Sequence, residues 1–210
     1  MTKDTAPPCG LYLKLAASMP TENALRFIRQ AAFVINRSAY EQNMHAFEID
    51  PSGAADDLTA TLVQLIQAQG LVAILRSPAQ LAQDLGADGV ILTDASQIAE
   101  ARRILGDEKI IGLSCELGRT EAEAALALDI DYVILADPAL IGWWAGQSEH
   151  PCVATGSITN DTTAHYVRAG AGFIECSNYV WTHEKGTIQA ITDMLYAIDL
   201  AAESKKAALN

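Results

Sequence analysis

The chain has 210 residues, 50% hydrophobic and 19% charged, with a formal net charge of −12. That length and apolar share suit one well-buried domain and argue against wholesale disorder. The acidic balance argues against nucleic acid or an anionic membrane as partner, because phosphate backbones call for clustered Lys and Arg; it leaves a small phosphorylated ligand open.

Met1 to Pro8 is polar and lacks the apolar core of a signal peptide. No apolar run approaches the ~18 residues that cross a bilayer, so a reduced, cytoplasmic setting is expected. The cysteines (Cys9, Cys115, Cys152, Cys176) form no CxxC pair, and with scattered histidines they make no zinc pattern.

Leu11–Leu15 is the first strand-like run. For the second, Ala46–Ile49 competes with Ala32–Ile35, and Arg37–Met44 carries no clear pattern. Asp56–Gln69 is the clearest helix, with Leu58, Leu62, Leu65 and Ile66 on one face. There follow strand Leu71–Leu75, helix Ala79–Leu85 with Gly86 beyond its end, strand Gly89–Leu92, and helix Ala95–Leu105 closed by Gly106. Next come strand Ile110–Leu113, helix Glu121–Leu128, strand Tyr132–Leu135, and Trp143-Trp144 in a short helix. Strand Cys152–Ala154, helix Asn160–Ala169 capped by Asn160 or Asp161, strand Phe173–Cys176 and helix Thr187–Ala202 complete the series. Residues 1–8 and 204–210 read as frayed tails.

From the third run onward the strands recur about every 20 residues, the spacing of a strand plus a crossover helix. Helices on both sides bury both faces of each strand, hence apolar runs in place of alternation. Eight such units predict a single-domain (β/α)8 TIM barrel over residues 1–210.

Two late strand-to-helix turns, Gly156-Ser157 and Ser177-Asn178, carry little side chain, so their N–H groups can hold a phosphate. They also suit plain turns and helix caps. Arg76 ends the third strand, where a guanidinium can clamp an anion or pair with Asp94, Glu48 or Asp50; Lys14 has the same two options. Glu48, Asp94, Glu116 and Asp137 fall near one barrel mouth, as acid and base, as a cation site, or, the favoured reading, as solvated loop charges. Cys115 reads as an apolar filler more than a nucleophile. Trp143-Trp144 suit outer packing or a subunit contact better than a ligand wall, and His165 and His183 read as surface residues.

The segments QAQGLVAILRSPAQLAQDLGADGVIL, AEARRILGDEKIIGLSCE, DIDYVILADP, PCVATGSIT and VRAGAGFIECSNYVW resemble thiamine-phosphate synthases, over roughly Ala68 to Ile191. The resemblance implies a (β/α)8 barrel that joins hydroxymethylpyrimidine pyrophosphate to thiazole phosphate with Mg²⁺. It assigns the thiazole phosphate to Gly156, Ser157, Ser177 and Asn178. Arg76 would hold the pyrophosphate, Asp94 or Asp137 a metal, and Ser114 joins the catalytic candidates. The chain also departs from the family. Arg76-Ser77 replaces an Asn-Asp pair, Thr93-Asp94 with Ser96 replaces a Gly-Gln and a carboxylate, and Glu48 and Asp50 stand where Gln, Arg and Lys are usual. Ser114-Cys115-Glu116 replaces a His-terminated triplet, and the long loop after Asp137-Pro138 is missing. The alternative is a catalytically degenerate paralogue that binds a small phosphorylated ligand or a partner, with a homodimer left open.

Overall fold

The computed structural model describes residues 9–38, 43–115 and 118–208. Strand β1 (Gly10–Leu15) is followed by α1 (Thr21–Ile35), β2 (Ala46–Ile49), α2 (Asp56–Ala68), β3 (Val72–Leu75), α3 (Ala79–Asp84) and β4 (Gly89–Leu92). A 3₁₀ turn, Ala95–Gln97, leads into α4 (Ile98–Leu105), then β5 (Ile110–Ser114), α5 (Arg119–Ala125), β6 (Tyr132–Leu135) and α6 (Pro138–Gln147). The chain ends through β7 (Cys152–Ala154), α7 (Thr163–Ala169), β8 (Phe173–Glu175), α8 (Ser177–Thr182) and α9 (Thr187–Ala208). The strands are parallel and close in sequence order, with β8 pairing back on β1 through Leu11↔Ile174. This is the expected TIM barrel. None of its helices is long and apolar enough to cross a membrane, among the described residues.

Side chains alternate between the barrel axis and the helix layer. Tyr12, Ala46, Ile74, Ile91, Tyr132, Ile134 and Val153 fill the axis. The larger apolar cluster lies between strands and helices. Gly112 is required where it is: a Cβ there would overlap the Tyr132 ring. At the N-terminal ends of the strands, Asp88 accepts a hydrogen bond from the Ala73 N–H (2.8 Å) and Asp131 from the Ile111 N–H (2.7 Å), each clipping its loop to the neighbouring strand.

Four expectations change. Ala32–Ile35 is the last turn of α1, whose buried residues Ala24, Phe27, Ile28, Ala31, Ala32 and Ile35 form one helical stripe. Helix α7 begins at Thr163 with Thr162 at its N-cap, so Asn160 and Asp161 lie in the preceding turn. Helix α9 runs on to Ala208, so the segment from Ser204 is helical where fraying was expected. Finally α8, too short to show a period, occupies Ser177–Thr182.

Candidate functional site

The candidate residues sit at the C-terminal ends of the strands, where the loops of such barrels meet. Glu48 and Arg76 lie on adjacent strands and are joined: Arg76 Nε donates to Glu48 Oε1 at 2.6 Å. Of the three carboxylates open to Arg76, Glu48 is the one reached here. Asp50 instead accepts from the Ser52 N–H at 3.0 Å and closes its own turn. The second oxygen of Glu48 accepts from the Tyr12 hydroxyl at 2.9 Å, and the Tyr12 and Tyr132 hydroxyls are 3.0 Å apart. Tyr12 has one hydroxyl hydrogen, which goes to Glu48, so Tyr132 is the donor to Tyr12. Burial pushes both phenols well above their ordinary range, with the neighbouring Tyr132 and Glu48 adding to the effect on Tyr12.

Asp94 and Asp137 are each bonded to the start of their own helical segment. Asp94 Oδ1 accepts from the Ser96 N–H (2.9 Å) and hydroxyl (2.7 Å), which hold its carboxyl below the usual range. Asp137 Oδ1 accepts from the Ala139 N–H at 2.9 Å at the start of α6. Both are helix caps. The Mg²⁺ that the resemblance implies calls for carboxylates converging with phosphate oxygens. Asp94 and Asp137 stand two strands apart, each turned onto its own helix. Among the described residues no three of His, Cys, Asp and Glu gather as a metal-binding group. As caps of helical segments on separate strands, the two aspartates do not form a shared ligand set. Glu116 lies outside the described residues.

The two late turns lie side by side on β7 and β8. Gly156 has φ of 134°, a conformation that strains any residue with a Cβ. The N–H groups of Gly156, Ser157, Asn178 and Tyr179 make no hydrogen bond among the described residues. The Ser177 hydroxyl accepts from the Lys14 N–H at 2.6 Å and so keeps its own hydrogen for a further acceptor. Helix α8 is anchored from its far end. Trp181 donates from Nε1 to the Lys14 carbonyl (2.9 Å) and stacks on Phe27 with ring centroids 4.5 Å apart.

Glu175, which sequence reasoning passed over, lies at the base of these turns and is 8% exposed. Its carboxylate accepts from the Ser177 N–H at 2.9 Å and from the Thr155 hydroxyl at 3.2 Å. A carboxylate therefore already occupies one of the donors that a phosphate would use. Glu175, Tyr12 and Tyr132 are polar side chains inside apolar runs, which was the available signal.

The remaining candidates are spread around the barrel. Ser114 ends β5 half-buried, in register with Ile134. Cys115 is buried, and burial together with Glu121 pushes its thiol up to about 11, unlike an activated nucleophile. Trp144 is buried and donates to the His150 carbonyl (2.8 Å), while Trp143 carries the Arg119 guanidinium 4.0 Å from its ring centre on the barrel exterior. His165 is exposed, and His183 stacks edge-on against Tyr179. A cleft lined by Leu15, Met19, Ile49 and Leu58, with Asp50 at its rim, opens between α1 and α2, apart from the late turns.

The family model described as thiamine monophosphate synthase matches residues 50–178. A thiamine-phosphate synthase of Rhodospirillum centenum is 35% identical over 144 residues, 61% of this chain and 70% of that protein. One of Methylobacillus flagellatus is 32% identical over 199 residues, 87% of this chain and 92% of the other. Among solved structures, a thiamine phosphate pyrophosphorylase from Pyrococcus furiosus superposes with a TM-score of 0.74 at 19% identity, covering 91% of this chain and 96% of that one.

Proposed function

Because the chain belongs to the thiamine monophosphate synthase family, over residues 50–178, we propose that it binds a small phosphorylated molecule at its C-terminal mouth without coupling the two thiamine precursors. The observation that carries this reading is the set of unpaired N–H groups on Gly156, Ser157, Asn178 and Tyr179. They come from two turns on adjacent strands, and the Ser177 hydroxyl joins them. Backbone N–H groups in such turns bind phosphate oxygens without a basic side chain, which suits a chain of net charge −12.

Displacing pyrophosphate needs more than a cradle: a cation or basic groups must take up the charge that develops on the leaving group. Asp94 and Asp137 each use Oδ1 to cap their own helical segment, and Arg76 Nε is engaged by Glu48. The reading includes a reducing cellular setting, supported by four cysteines that remain free thiols.

A second reading, an active synthase with a rearranged site, is favoured by the identity of 32–38% to proteins called thiamine-phosphate synthases. One experiment separates the two. Calorimetric titration with thiazole phosphate, thiamine phosphate and inorganic phosphate is run beside a turnover assay with both precursors and Mg²⁺. Binding heat without product supports the proposal. Steady turnover supports the second reading, and the absence of heat with every ligand at millimolar concentration removes the first.

A further inference from the structure

Six large apolar side chains stand exposed among the described residues, and four of them lie on two helices: Phe33 on α1, and Ile188, Tyr196 and Leu200 on α9. These helices pack side by side where the barrel closes. On α9 the three residues share one ridge with Thr192, each four residues from the next. On α1, Phe33 follows Arg26 and Arg29 along the exposed face, and Arg37 just past the helix end lies 4.2 Å over the Phe33 ring.

The two faces carry opposite charge. The exposed side of α1 and its exit presents Arg26, Arg29 and Arg37 against one acid, Glu22, in a chain whose formal charge is −12. The exposed side of α9 presents Asp199 and Glu203 beside Tyr196 and Leu200. Lys205 is turned inward, toward Gly170.

We propose that this face is where a second copy of the chain docks, with α1 of each copy lying on α9 of the other. An isologous interface has a two-fold axis within its plane, and the charges choose its direction. An axis across the helices would lay α1 on α1 and bring arginine onto arginine. An axis along them lays α1 on α9 twice, and it preserves height. Both helices descend from the C-terminal side of the barrel. At ~1.5 Å per residue from each helix's own first residue, Phe33 lies about 18 Å down α1 with Arg37 just beyond its end, while Leu200 lies about 20 Å and Glu203 about 24 Å down α9. Phe33 therefore meets Tyr196 and Leu200 of the second copy, and Arg37 meets its Glu203. An apolar centre with a paired charged rim is the usual anatomy of a homodimer contact.

The test is sedimentation equilibrium of the full chain across a concentration series. The wild type is expected to be a dimer. R37E and E203R are each expected to weaken it at least ~tenfold, since each places like charges at both symmetry-related contacts. An equimolar mixture of R37E and E203R is expected to recover wild-type association, because a mixed dimer has one Arg and one Glu at both contacts. Y196S should weaken association and not be rescued by either. All three positions are exposed, and far-UV circular dichroism checks the fold. A monomeric wild type, a dimer indifferent to the three substitutions, or a mixture that stays dissociated would each overturn the proposal.

Discussion

Replacing Arg76 by Met tests whether the mouth is a ligand clamp or an internal pair. The Glu48 side chain is 4% exposed and that of Arg76 27%, with 2.6 Å between Oε1 and Nε. Removing the guanidinium strands a buried carboxylate beside the Tyr12 hydroxyl, and breaking a buried pair in this way costs about 3–5 kcal/mol. Coulomb's law for unit charges ~4 Å apart at an effective dielectric near 20 gives about 4 kcal/mol, the same range. In a chain of this size about 1 kcal/mol shifts Tm by ~2–4 °C, so R76M should melt roughly 6–20 °C lower. The double variant E48Q/R76M removes the stranded charge while Gln keeps an acceptor for Tyr12, and should recover more than half of the loss. The assay is urea unfolding at pH 7, with thiazole-phosphate titration alongside. A loss below ~1 kcal/mol in R76M, or a double variant no more stable than R76M, refutes the buried pair as a stabilising unit. Lost ligand binding in a stable double variant would instead make Arg76 a clamp.

Asp94→Ala and Asp137→Ala should each lower Tm slightly as lost helix caps, equally with and without millimolar Mg²⁺; a Mg²⁺-dependent rise in Tm that either substitution abolishes would restore a metal site. The thiols of Cys9, at about 12, and of Cys115 and Cys152, at about 11, are raised by burial from 9.0. A raised folded pKa means stability present in full below the unfolded value and lost above it. Urea stability should therefore hold to about pH 9 and fall toward pH 11, with a shallower fall in C115A/C152A; equal slopes would contradict it. Glu175→Gln removes a negative charge from the donor at Ser177 N and should tighten inorganic phosphate binding by ~tenfold or more, read by calorimetry; unchanged affinity places the anion elsewhere.

The strands were legible because burial on both faces turns each into an apolar run, and Ala46–Ile49, Gly89–Leu92, Tyr132–Leu135 and Cys152–Ala154 begin and end as expected. The same property hid the interior. When both faces are apolar, nothing in the run says which residues face the axis, so Tyr12, Tyr132 and Glu175 were not recognised as a polar set until the register was known. Ala32–Ile35 misled because four apolar residues in a row are too short to show a period; the stripe from Ala24 shows it. Likewise Asp94 and Asp137 look alike as ligands or caps in sequence. Only the direction of each side chain, onto Ser96 or Ala139, separates the roles.

The departures from the family also depend on one another. Placing at positions 76 and 77 the Asn-Asp pair that the resemblance implies would remove the guanidinium that holds Glu48, a residue only 3% exposed, and would set a second carboxylate near it. The buried acid would lose its partner before any metal could bind. Glu48 therefore has to change with Arg76. Its neighbour Tyr12 then needs a new acceptor, and Tyr132 follows through the 3.0 Å contact between the hydroxyls. Arg76, Glu48, Tyr12 and Tyr132 form one linked chain of partners, so a stepwise change along it passes through less stable intermediates. The backbone turns at Gly156 and Ser177 carry no such debt: their free N–H groups depend on chain geometry and not on those side chains. Side-chain chemistry on β1, β2, β6 and the end of β3 is thus tied together, while the β7 and β8 turns stand apart from it.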